Sequence, residues 1–228
     1  MGRRCRSVAW VLAVTVLFLA LPLSSCTSGG TSDTDQRTAD TPAPPNTTGG
    51  EDVAIIYLAG GCFWGVEKLM SSINGVIDAE SGYAQGHTES PYYQDVVTGE
   101  TGHAETVKVE YDPSVAPLPF ILEIFYQAID PTSVNRQGND VGSQYRTGVY
   151  YSDPADAPIV ERSLAELQER YNEPITVEAE SLTSFTTAEG FHQDYLDKNP
   201  GGYCHIDIKL FEEAAAAVPD PSHFSESE

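Results

Sequence analysis

A cysteine set among glycines and aromatics, Gly60-Gly61-Cys62-Phe63-Trp64-Gly65, is the stretch of this chain best equipped for chemistry. It follows Val53-Ala54-Ile55-Ile56-Tyr57-Leu58-Ala59, a run with almost no polar side chain, which reads as a strand buried on both faces. After it, Phe63, Val66, Met70 and Ile73 recur three to four apart, the stripe of one helix face. Cys62 therefore sits where a buried strand turns sharply into a helix, with glycines permitting the turn. A thiol at a helix N-terminus meets the positive end of the macrodipole and unpaired N–H groups. Both favour thiolate, the nucleophilic form. Phe63 and Trp64 offer aromatic faces as a wall for an apolar substrate group. The plain alternative is a small buried core cysteine, the ordinary fate of a free thiol.

Four further pieces are dense in glycine and reactive polar residues: Ser90-Pro91-Tyr92-Tyr93, Thr101-Gly102-His103-Ala104-Glu105, Arg136-Gln137-Gly138-Asn139-Asp140 and Gly142-Ser143-Gln144-Tyr145-Arg146. Loops of this kind are where function concentrates, although each alone could be a capped turn or a surface carboxylate. Gly201-Gly202-Tyr203-Cys204 places a second thiol on a flexible turn. Outside the cytoplasm a lone cysteine pair is usually a structural disulfide. There is no CxxC, and the five histidines lack metal-ligand spacing, so no metal is expected.

The elements that would position these groups alternate between strand and helix. Val76 to Gly82 reads as a strand, and Thr106 to Tyr111 alternates as a half-exposed one. Phe120 to Ile129 is an apolar helix opened by Pro119 and closed by Asp130-Pro131. Gly148 to Tyr151 is a strand, Val160, Leu164, Leu167 and Tyr171 make a helix stripe, and Ile175, Val177 and Ala179 alternate. Thr187 to Lys198 reads as a helix around Phe191, Tyr195 and Leu196, stopped at Asn199-Pro200-Gly201-Gly202. The pattern is that of an α/β, more narrowly α+β, two-layer domain with a mixed sheet and packed helices.

The N-terminus reads as an export signal. Arg3, Arg4 and Arg6 precede an apolar run, Val8 to Leu21, broken only by Thr15. That is signal-peptide length and short for a bilayer span. It ends in Leu23-Ser24-Ser25-Cys26, which resembles the lipobox of bacterial lipoproteins, with Cys26 lipidated as the new N-terminus. Cleavage near Ser25, giving a secreted soluble protein, is the alternative. Residues 1–25 are thus expected to be the signal, 26–51 a disordered tether without large aliphatics, 52–212 one catalytic domain and 213–228 a disordered acidic tail. The formal net charge of −22, made more negative by loss of the three arginines, repels nucleic acid and anionic headgroups. Nothing points to an obligate oligomer, so a monomer is expected.

Gly61-Cys62-Phe63-Trp64-Gly65, Thr101 to Glu105 and the Arg136 to Asp140 and Gln144-Tyr145-Arg146 block, in that order, resemble the methionine sulfoxide reductase A family, from about Ile55 to Ile208. The resemblance implies a ferredoxin-like fold and peptide-methionine (S)-S-oxide reductase activity. By motif it implies Cys62 as nucleophile, Phe63 and Trp64 as the pocket for the S-methyl group, and Glu105 as proton donor to the sulfoxide oxygen. It implies Tyr93 and Tyr145 as hydroxyls holding that oxygen, Asp140 as a water-positioning carboxylate and Cys204 as the recycling cysteine. No bound cofactor is implied; a thioredoxin-like protein or a dithiol supplies electrons. Ser90-Pro91-Tyr92 stands where Asn-Pro-Thr is usual, and Ser143 and Thr147 replace the common Thr and Ser, leaving every reacting group in place.

The chemistry needs these groups. Sulfoxide sulfur is a poor electrophile until its oxygen is protonated, so Glu105 should be desolvated and its pKa raised. Attack leaves Cys62 as a sulfenic acid, which Cys204 closes to a disulfide for external thiol exchange. Two rival readings are a lipoprotein binding module stapled by Cys62 and Cys204, and a thiol peroxidase, which would have no use for the Phe63-Trp64 wall.

Overall fold

The computed structural model describes residues 53–225. The signal, Cys26 and the 26–51 tether lie outside the described residues. In chain order the described elements are β1 (Ala54–Gly60), α1 (Phe63–Ser71), β2 (Val76–Ala84), α2 (Tyr93–Val96), β3 (Ala104–Tyr111), α3 (Leu118–Tyr126), β4 (Arg136–Gln137), β5 (Asp140–Val141), β6 (Thr147–Tyr151), α4 (Ala157–Gln168), β7 (Glu178–Ser181), β8 (Phe185–Thr187), α5 (Tyr195–Lys198) and α6 (Ile208–Ala216).

One mixed sheet runs in the order β7-β6-β1-β3-β2-β8. β1 is antiparallel to both neighbours, β3 and β6, while β7 joins β6 in parallel. The inner four strands with α1 and α3 form the split β-α-β arrangement of ferredoxin-like folds, as expected. β1 is central, which is why its run lacks polar side chains. Ile56 and Leu58 face the main core with Val66, Leu69, Met70, Ile121 and Phe125. Tyr57 and Ala59 face a smaller cluster with Ala84, Ala104 and Tyr150 on the other side.

That second face is concave. β7 and β8 lie at opposite edges of the sheet, yet only residues 182–184 separate them. Six flat strands would place those edges about 24 Å apart, and four residue steps reach at most about 14 Å. The sheet must therefore roll toward itself. Small Ala59, Ala84 and Ala104 fit the inside of the curl, and the Phe185 ring closes it 5.2 Å from Tyr57. β3 is more enclosed than its alternation implied. Ala104–Val107 is buried on both faces, and only Lys108 and Glu110, paired at 2.5 Å, reach partial exposure.

Two expectations are corrected. Thr187 to Lys198 is not a helix: its start belongs to β8, and only α5 is helical. Side chains divert the backbone between them. Gln193 brackets Ser81, accepting its N–H at 3.0 Å and donating to its carbonyl at 2.9 Å. Glu189 accepts from the Tyr93 N–H and the Tyr83 hydroxyl, and Asp194 is left-handed at φ 50°. Nor does the domain end at 212 with a loose tail. α6 crosses that boundary, capped by the Asp207 side chain, and buries Ala214 to 1% exposure. Beyond it, His223 lies 5.6 Å from the Phe120 ring and 3.0 Å from the Glu123 carboxylate.

Ending the chain after residue 212 should therefore destabilise the domain by about 2 kcal/mol, the scale for removing a few buried apolar groups. Thermal unfolding compared with the full chain measures this; an unchanged midpoint would mean that the segment beyond 212 contributes no stability.

Candidate active site

The β1–α1 elbow places Cys62 at the helix N-cap, as the sequence predicts. Gly61 makes the turn at φ +84°, and a Cβ there would stand 2.6 Å from the Gln137 Cβ. Gln137, buried at the turn, accepts from the Asp130 N–H at 2.8 Å and donates to the Asp130 carbonyl and Thr147 Oγ1, each at 2.9 Å. It braces the β4–β5 hairpin against the elbow, and that hairpin presents Asp140. A 3-10 turn, Ser143–Tyr145, follows with Tyr145, and α2 opens on Tyr93.

Glu105 is 2% exposed and accepts the Phe63 N–H, the first free donor of α1, at 3.1 Å. Burial pushes its carboxyl up to about 8; the Phe63 N–H opposes this and the nearby Asp140 charge adds to it. Glu105 thus carries its proton at neutral pH. Tyr93 and Tyr145 also gather around it. Burial, then the Glu105 charge, raises both phenols, and Tyr145 is in hydrogen-bonding reach of Tyr93. Both hydroxyls remain donors.

Cys62 departs from expectation. Its thiol is pushed up, not down: burial is the main cause and Glu105 the second, and the Trp64 N–H offsets them only in part. The helix N-terminus is present, but its Phe63 N–H is taken by Glu105, and Cys62 as a residue is 7% exposed. Desolvation here outweighs the dipole.

Phe63 is buried and Trp64 half-buried. The Trp64 indole N–H donates to His192 Nδ1 at 3.1 Å, and its ring stacks on Tyr195 at 3.7 Å and 14°. The His192 ring packs 4.9 Å from Phe63 and 4.7 Å from Tyr93, kept neutral by burial. His192, Tyr195 and Gln137 escaped the sequence reading as site residues. The density of aromatic and polar side chains in Phe191-His192-Gln193-Asp194-Tyr195 was the available signal.

Cys204 and Cys62 are free thiols. A Cβ on Gly65, one turn into α1, would stand 3.0 Å from the Cys204 sulfur, so the second thiol lies against the helix that Cys62 caps. The preceding Tyr203 hydroxyl donates to Asp140 at 3.0 Å. Each described residue to which the resemblance gave a role thus meets at one end of β1. Cys26 lies outside the described residues. Among the described residues no group of three or more potential ligands is placed to hold a metal. A groove of ≈ 980 Å³ lined by Ala54, Tyr111, Arg162 and His223 lies at the other end of β1 and holds none of these groups.

The raised Glu105 carboxyl has a consequence for stability. With its folded value near 8 against an ordinary 4.5, its favourable share is complete below pH 4.5 and lost as pH rises through 8. Glu105→Gln removes that penalty. The variant should gain stability over the wild type as pH climbs from 4.5 to 9 and show no such gain at acid pH; urea unfolding across the range reads it. A pH-independent difference would mean that Glu105 titrates normally.

The chain matches the family model for peptide methionine sulfoxide reductase over residues 54–221. It is 53% identical over 162 residues to peptide methionine sulfoxide reductase MsrA of Lachnoclostridium phytofermentans, covering 71% of this chain and 98% of that relative. Among solved structures it is similar to Mxr1 from Saccharomyces cerevisiae in reduced form, at 37% identity and TM-score 0.64, covering 67% of this chain and 88% of that one. It is also similar to methionine sulfoxide reductase A of Corynebacterium diphtheriae, at 36% identity and TM-score 0.62, covering 68% and 79%. With its site assembled on the family's fold, this chain belongs to the peptide methionine sulfoxide reductase A family and has the activity of a peptide-methionine sulfoxide reductase.

Proposed function

We propose that the chain reduces the S epimer of methionine sulfoxide, free or in proteins, with Cys62 as nucleophile and Glu105 as acid. The observation that carries this reading is the buried Glu105 carboxyl, protonated at neutral pH and fixed by the Phe63 N–H beside Cys62. Phe63 and Trp64 receive the substrate methyl group, while Glu105, Tyr93 and Tyr145 receive its oxygen. With both substituents held, one hand alone presents sulfur to Cys62.

The raised Cys62 thiol fits a step in which the proton moves with the reaction. Glu105 protonates the sulfoxide oxygen and becomes the carboxylate that takes the Cys62 proton. The Cys62 sulfur bonds to the substrate sulfur, and the protonated oxygen transfers from that sulfur to the Cys62 sulfur as the S–O bond breaks. The transient sulfur–sulfur bond then breaks, leaving Cys62 as sulfenic acid and releasing methionine. Preorganised donors around the developing charge supply the stabilisation of an oxyanion hole. Asp140, held by Tyr203, orders water at the mouth. Cys204 then attacks Cys62, water departs and a disulfide forms, to be opened by a thioredoxin-like dithiol. The nearness of Cys204 to Gly65 supports the pairing.

The location follows from the N-terminus. Leu23-Ser24-Ser25-Cys26 after the apolar run supports a lipid anchor on Cys26, a tether over 26–51 and repair work by a monomer on the outer side of the membrane.

Turnover on the separate epimers tests the activity: only the S epimer should yield methionine, and comparable rates on both would sink the reading. Glu105→Gln should slow single-turnover methionine release by about a hundredfold, the scale of a positioned acid. Cys204→Ser should release one methionine per enzyme and then stall with thioredoxin; continued cycling would remove Cys204 from recycling. For the anchor, Cys26→Ser should move a detergent-requiring protein into the aqueous phase or leave it uncleaved. A wild-type protein already wholly aqueous, with an unmodified N-terminus, would contradict the lipid.

A further inference from the structure

α1 carries a second buried carboxyl that the mechanism above does not use. Glu67 is 3% exposed. Its Oε1 accepts the Ser81 N–H at 3.3 Å, and the Asp194 N–H faces the same carboxyl. Burial pushes it up to about 7, yet the described structure gives it no cationic partner. A buried carboxyl held by hydrogen bonds from Ser81 and Asp194, with no cation beside it, is an expensive way to hold a fold together.

Its place on the helix shows what it holds. Trp64 and Glu67 are three residues apart, so they share one face of α1. Lys68, four from Trp64, joins them and pairs with Asp197 at 2.5 Å. All three meet the same segment: Tyr195 stacks on Trp64, Asp194 faces Glu67, and Asp197 pairs with Lys68. Phe63, Val66 and Met70 occupy the core-facing side of the same helix. At the centre of the segment is Asp194, a non-glycine residue at φ 50° and ψ 34°. Such a conformation persists only where the surroundings over-determine it. Lys198 helps from outside, donating to the Gln193 carbonyl at 2.6 Å and the Asp194 carboxylate at 3.3 Å. Glu67 acts from inside. The residue after this strained turn is Tyr195, whose ring lies flat on the indole.

We infer that Glu67 is a positioning residue for the methyl wall: its carboxyl holds the left-handed turn at Asp194, which sets Tyr195 and so fixes the plane of Trp64. The inference rests on Trp64 lining the substrate pocket. Its consequence is specific. Loosening the turn lets the indole swing, weakening substrate binding more than the chemical step, because Glu105 and Tyr145 are held by other elements.

The test uses the full chain with Trp10→Phe, leaving Trp64 as the lone tryptophan of the two in the sequence. Glu67→Gln keeps the shape but sets an NH2 group among N–H donors. KM for methionine S-sulfoxide should rise about tenfold with kcat within about threefold, the signature of lost uniform binding. Trp64 emission should shift, and its quenching by acrylamide should increase. Tyr195→Leu should give the same KM rise, and the double variant should be no worse than either single one, since both act on one contact. Glu67→Asp, keeping the charge on a shorter arm, should fall between and covers a Gln variant that does not fold. A lowered unfolding midpoint with unchanged KM and unchanged Trp64 emission, or additive effects in the double variant, would overturn the inference. The emission arm needs no turnover. An inactive wild type would therefore defeat the assigned reaction, while the Glu67–Trp64 linkage would still be decided by fluorescence.

Discussion

A single hydrogen bond joins the two halves of the chemistry: the Phe63 N–H donated to Glu105 at 3.1 Å. The donor is the first free N–H of the helix that Cys62 caps, and the acceptor lies on the neighbouring central strand. One contact thus places the sulfur-bearing elbow against the acid, and takes from the helix N-terminus the donor that would otherwise favour thiolate. Both groups stay protonated, because burial raises each of them and outweighs the N–H donors nearby. The elbow can approach so closely because Gly61 adopts φ +84° with Gln137 packed where a side chain would stand. Burial does the rest, holding Glu105 near 8.

Local signals were readable where tertiary contacts agree with them. β1 showed as a run of apolar residues because it is central, with Ile56 and Leu58 on one face and Tyr57 and Ala59 on the other. α1 showed by its period, and the N-cap position of Cys62 followed from the glycines before it. The ionisation of Cys62 was not legible, because the dipole of a helix is local while desolvation is set by the whole fold. Residues 187–198 were misread for a related reason. Phe191, Tyr195 and Leu196 have helical spacing, but Glu189 and Gln193 bond to Tyr93, Tyr83 and Ser81, about a hundred positions away in the chain. Such side chains compete with the helix for backbone partners. The motifs named Cys62, Glu105, Tyr93, Tyr145, Asp140 and Cys204; the aromatic clamp of His192 and Tyr195 on Trp64 appears only when the chain is folded.

The site draws its rigidity unevenly. Cys62, Phe63 and Glu105 sit on elements buried in the main core. Cys204 follows an open Gly201 and packs only partly buried against the core, with the Ile206 N–H on its sulfur and the Tyr203–Asp140 hydrogen bond beside it. A buried first thiol and a partly buried second one beside a glycine turn suit the proposed two-step cycle. The first step needs fixed geometry, and the second needs one thiol to travel.

The rolled sheet has an effect beyond packing. An open sheet exposes two rows of unpaired N–H and C=O groups along which another chain can add a strand. Here the outermost strands are only four and three residues long, and residues 182–184 run directly from one to the other. Neither border is long enough to template a foreign strand, and the link that joins them covers their adjoining ends. The curl that lets Phe185 close over Tyr57 thereby also protects the domain against edge-to-edge aggregation.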